Sequence, residues 1–201
     1  MTRHPLPALV AAALPTTATS VALADETRIG MTLDYNEVMS FYDNRGVDIV
    51  DHYDTIGASA VFDLEYVRVS AGYATNFGNH IRFVDGNEEK DDQYRISYLN
   101  TTVVGKLPLR LAQDELILWP ALGLRSAINL EYAHDGGERV NDESNDWHVV
   151  GGVGLDYNVS KSVALTSSLL ATYNLTPGMG DFADNPRGLS LGLGLGALLR
   201  L

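Results

Sequence analysis

The chain has 201 residues, no cysteine, and 26 Asp and Glu against 14 Lys and Arg, for a formal net charge of −12. This length suits one domain, the missing cysteine excludes disulfides and thiolate metal sites, and the acidic balance argues against nucleic acid as a partner. No stretch approaches the roughly 18 apolar residues of a spanning helix, so in a membrane this chain must cross as a closed barrel.

In chain order, residues 1–24 read as a signal peptide. Arg3 supplies a weak positive region, Leu6 to Leu14 an apolar run, and Ala22-Leu23-Ala24 a cleavage site before Asp25-Glu26. The remaining 25–201 reads as one barrel domain. Period-two alternation between turn signals predicts eight strands, at 28–36, 53–63, 66–77, 94–107, 116–131, 147–158, 162–175 and 189–201. Short turns are expected near 64–65, 108–115 and 159–161. Long polar loops are expected at 37–52, 78–93, 132–146 and 176–188. Such an alternation matches a membrane barrel, with short turns on the periplasmic side and longer loops outside.

The faces follow from parity. In 66–77, Val67, Val69, Ala71, Tyr73 and Phe77 point to one side, and Arg68, Ser70, Gly72 and Asn76 to the other. In 116–131 the outward set is Leu118, Leu122, Leu124, Ile128 and Leu130, and the inward set Gly123, Arg125, Asn129 and Glu131. In 147–158, Trp147 and Tyr157 bound an outward set that includes Val153. Ten residues span about 33 Å, which a tilt of about 40° reduces to about 25 Å, the height of the apolar band. Tyr73, Phe77, Trp147, Tyr157 and Tyr173 are therefore assigned to aromatic girdles on the lipid face. Gly154 falls on the opposite face, where a Gly154→Ser change is expected to be milder than Val153→Arg, which would bury a charge near the bilayer midplane at about 2 to 4 kcal/mol. Strand 94–107 mixes its parities, and a bulge is expected there. The last strand alternates Leu189, Leu191, Leu193 and Leu195 with Ser190, Gly192, Gly194 and Gly196, which suits lipid outside and a crowded lumen inside.

Three segments, 62–73, 98–108 and 120–124, resemble the hairpin pattern of small outer-membrane β-barrel proteins. The likeness is strongest to versions found in spirochaetes, and looser to the OmpX and OmpW types and to the barrel of outer-membrane protein A. It implies an all-β fold, an eight-stranded antiparallel transmembrane up-and-down β-barrel in the outer membrane. It also implies outer-membrane lipids and, during insertion, the barrel-assembly machinery as partners. Such chains usually end in an aromatic residue, whereas this one ends in Leu201.

Inside the barrel, parity collects Arg28, Asp34, Arg68, Lys106, Arg125, Glu131, Asp156 and Arg200. Mixed charges in so narrow an interior are expected to pair and fill it. A thin polar conduit lined by the same groups is the alternative. Most of the acidic excess sits in the four long loops, where His52, His80 and His134 have carboxylate neighbours. Those loops lack the spacing of a calcium site and are read as solvated, so no metal or cofactor is assigned. A third reading is a lipid-modifying enzyme, and His148 with Ser144 and Asp146 is the local grouping it would use. Rim polarity accounts for those residues as well. The expected role is structural or surface-interacting, without catalysis, and an extracellular ligand would meet the acidic loops.

Overall fold

The computed structural model describes residues 27–44, 47–84, 87–91, 95–112, 115–133, 145–176 and 184–201. The expected signal peptide and the chain from 134 to 144 and from 177 to 183 lie outside them. Among the described residues the elements are β1 (Thr27–Asn44), β2 (Val47–Leu64), β3 (Val67–Val84), β4 (Asn87–Asp91), β5 (Arg95–Lys106), β6 (Leu109–Leu111), β7 (Leu116–Ala133), β8 (Asn145–Asn158), β9 (Val163–Asn174) and β10 (Asp184–Arg200).

Eight of these close a ring in which β1, β2, β3, β5, β7, β8, β9 and β10 each pair antiparallel with the next, and β10 returns to β1. Closure leaves the ring without a free edge. The fold is an eight-stranded antiparallel β-barrel. Both ends of the ring meet at one rim, where the Leu201 amide donates to the Thr27 carbonyl at 2.9 Å. No described helix is long and apolar enough to cross a membrane, which says nothing of a barrel.

The sheet is inverted relative to a water-soluble protein. Ile29, Met31 and Leu33 on β1, Leu118, Leu122 and Leu124 on β7, and Leu189, Leu191, Leu193 and Leu195 on β10 are exposed, while Arg28, Asp63, Arg68, Lys106 and Asp156 are buried. An apolar exterior continued around a closed ring needs an apolar solvent, which a bilayer supplies.

Four sequence boundaries are corrected. The expected loop at 37–52 is mostly strand, because β1 and β2 stay paired in register from Thr27↔Leu64 to Asn44↔Val47. Beyond Tyr35 the outward face turns polar at Glu37, which erases the alternation but leaves the backbone ladder intact. Likewise β3 continues to Val84 with β4 paired on its tip, and β10 starts at Asp184, inside the expected loop 176–188. Within the expected 108–115 turn, β6 pairs with the start of β7. The irregularity expected in 94–107 lies at Ser97–Tyr98, where the register to β7 shifts.

Candidate functional site: a buried charge cluster and the cavity above it

The site occupies the lumen. Arg68, near the start of β3, is its hub. Its Nε donates to Asp63 Oδ2 at 2.5 Å, its Nη1 to Thr166 Oγ1 at 3.0 Å, and its Nη2 to both Asp156 oxygens at 3.1 and 3.2 Å. Asp156 also accepts from the Trp119 indole at 3.0 Å and from the Thr166 hydroxyl at 2.6 Å. Arg28 Nη1 lies 3.6 Å from its other oxygen, and Lys106 Nζ sits 2.5 Å from Asp63 Oδ1. The Arg68 guanidinium stands 4.2 Å over the Trp119 ring, with the Lys106 ammonium at 5.7 Å. Three cations thus share two carboxylates and one indole face. Cation–π attraction is strongest where the groups are desolvated, as here.

Burial is nearly complete, with Asp156 and Trp119 each 1 % exposed and Asp63 2 %. Buried charges persist only when paired and hydrogen-bonded, and each of these has a partner. The participants come from β1, β2, β3, β5, β7, β8 and β9, so the cluster braces the ring across its bore. Trp119 fits because its cross-strand neighbour is Gly154: a Cβ there would strike the indole. A Gly154→Ser change must therefore displace the indole. The lumen face at that position is filled from the opposite strand.

Toward the long-loop rim the packing changes. A cavity of about 60 Å³ opens above the Trp119–Arg68 layer, lined by Asp34, Asn100, Thr102, Arg125, Ser168 and Gly194 among others. Asp34 accepts from Ser59 at 2.7 Å and from Thr32 at 3.4 Å. Arg125 Nε donates to Thr102 Oγ1 at 3.1 Å. Higher still, Thr55 Oγ1 joins Asn36 Nδ2, at 3.3 Å, to Tyr98 Oη, at 3.1 Å.

Of the lumen residues assigned from parity, Arg28, Arg68, Lys106 and Asp156 meet in the cluster, and Asp34 and Arg125 line the cavity. Arg200 stands opposite Arg28 in the register of β1 and β10. It ends β10 on the inward parity, but the ring stops there and the side chain is exposed at the mouth. The Glu131 side chain lies outside the described residues. Asp63, Trp119 and Thr166 were missed, although Asp63 shares its parity with Ser59, and Trp119 with Gly123 and Arg125.

On the outer face Tyr73, Phe77, Trp147, Tyr157 and Tyr173 are all exposed. Tyr157 lies toward the short-turn rim, as do Phe62 and Tyr66, and the other four lie toward the long-loop rim. His52 belongs to β2, not to a loop, and its Nε2 is 3.0 Å from Glu37 Oε1 on the outward side. Beside it the Tyr35 hydroxyl donates to Asp54 Oδ1 at 2.8 Å. The His80 side chain and all of His134 lie outside the described residues. Among the described residues no three His, Asp or Glu side chains are placed to hold a metal ion. In the expected enzyme grouping, Ser144 lies outside the described residues. Asp146 accepts from Asn129 at 3.4 Å, and His148 pairs across strands with Arg125.

No protein-family model matches the chain, and no curated protein matches it. Solved structures similar to it include Neisserial surface protein A, at 14% identity and a TM-score of 0.46 over 86% of this chain and 97% of that one. The attachment invasion locus protein Ail of Yersinia pestis gives 14% and 0.37 over 86% and 99%. The N-terminal barrel domain of Pseudomonas aeruginosa OprF gives 14% and 0.40 over 82% and 96%. The architecture itself stands on the strand pairing above.

Proposed function

We propose that this chain is an outer-membrane barrel working as a closed, non-catalytic post that carries acidic loops on one rim for structural or surface-interaction roles. The carrying observation is the Arg28–Asp63–Arg68–Lys106–Asp156–Trp119 cluster, which fills the bore near the short-turn rim with charges already partnered. An eight-stranded interior is just wide enough for side chains to fill, and this one is filled at that level. The lipid supplies the solvent for the apolar exterior. The acidic residues of the long connections supply the surface an extracellular ligand would meet.

Planar-bilayer recording of the purified protein tests the reading. No steady unitary conductance is expected. Deleting the tips of the long connections should leave the barrel folded, because its hydrogen bonds run between strands, while any ligand binding is lost. Stable ion-selective channels that survive loop trimming would overturn the post in favour of a conduit.

A further inference from the structure

The cavity above the cluster has an unbalanced wall. Arg125 uses Nε for Thr102, and among the described residues its two Nη groups meet no acceptor and no carboxylate within ion-pairing distance. Arg68, also on the wall, has its donors committed to Asp63, Asp156 and Thr166. The carboxylate lining the cavity, Asp34, is held by Ser59 and Thr32. Asn100, Ser70 and Ser168 add amide and hydroxyl groups able to donate. Next to Arg125 on β8, His148 has a buried Nδ1 without a hydrogen-bond partner. A guanidinium inside the lumen, half-buried and with donors open to the cavity, offers a charge-assisted contact to an anion.

We propose that the cavity binds a small monovalent anion of the halide class, with Arg125 as its charged contact. Size and charge select this class. About 60 Å³ holds only a few spheres of roughly 10–15 Å³ each, so a large anion does not fit. A multivalent anion would face Asp34 across the same small space, whereas a single negative charge matches the one positive charge by which Arg28, Arg68, Lys106 and Arg125 exceed Asp34, Asp63 and Asp156. The inference stands apart from the closed-post reading, because a bound anion neither opens nor seals the bore at the Trp119 layer.

The two tryptophans supply the probe, since Trp119 lines the cavity and Trp147 lies on the outer face. In the folded full chain carrying Trp147→Phe, Trp119 is the sole tryptophan. Bromide, a heavy-atom quencher, is titrated at constant ionic strength with sulfate, multivalent and too large for the cavity, as the balancing salt. Saturable quenching that chloride relieves by competition is expected. Linear quenching, or none, overturns the proposal. Arg125→Gln should weaken the saturable component by about tenfold or more, as for loss of a charge-assisted contact, and unchanged saturation in that variant removes Arg125 from the site. Asp34→Asn should tighten binding by lifting a competing negative charge, and weaker or equal binding counts against the assignment. Anomalous scattering from bromide-soaked crystals of the unaltered protein reads the same site without any substitution. A peak beside Arg125 supports it, and an empty cavity overturns it.

Discussion

The two levels of the lumen solve one problem in opposite ways. Near the short-turn rim, Arg28, Arg68 and Lys106 are each paired with Asp63 or Asp156, and Arg68 and Lys106 also face the Trp119 ring, all nearly dry. Near the long-loop rim, Arg125 keeps free donors beside a cavity, and its direct partner is the neutral Thr102. The same residue types therefore serve as a brace at one level and as a receptive wall at the other. What differs is whether carboxylates of neighbouring strands reach them.

Removing the hub of the brace should have the largest effect. Asp156→Ala leaves Arg28 and Arg68 without a shared carboxylate and the Trp119 N–H without an acceptor, and should cost about 3–5 kcal/mol. A urea series on protein refolded into lipid vesicles measures it. Gly154→Ser comes next, at about 1–3 kcal/mol, because the new side chain must displace a fully buried indole. The same titration, with Trp119 emission as a second signal, reads both the loss and the displaced ring. Smallest is Arg125→Gln, at about 1 kcal/mol or less, since one hydrogen bond to a hydroxyl is exchanged for another in a site with room for water. If Arg125→Gln proved as costly as Asp156→Ala, the contrast between the levels would be broken. A neutral Gly154→Ser would mean that Trp119 is not packed against that strand.

The faces of the strands were legible because a period of two assigns each side chain before any tertiary information enters. Thus Arg68, Lys106, Arg125 and Asp156 could be placed together in one lumen. Who meets whom could not be read, because it depends on how far each strand is staggered against the next around the ring, and stagger has no local signature. Asp63 and Trp119 carry the inward parity too, but parity alone does not single them out as the partners of Arg68. The extension of β1 and β2 was hidden differently: past Tyr35 polar and apolar residues fall on both faces, as at Glu37 and Phe41 on one and Val38 and Ser40 on the other, so the alternation fades while the pairing continues.

The brace also constrains the order in which the molecule can be put together. Arg68 reaches Asp156 and Thr166 across 88 and 98 residues of chain, so these contacts come late by sequence separation. A lone β2–β3 hairpin entering hydrocarbon would satisfy Asp63 and Arg68 in part, and a lone β8–β9 hairpin would carry Asp156 with only the Thr166 hydroxyl and no counter-charge. Each half-made intermediate is therefore penalised until the opposite wall arrives. Insertion and closure are driven toward a single cooperative event, in which the ring shuts as its charges find one another.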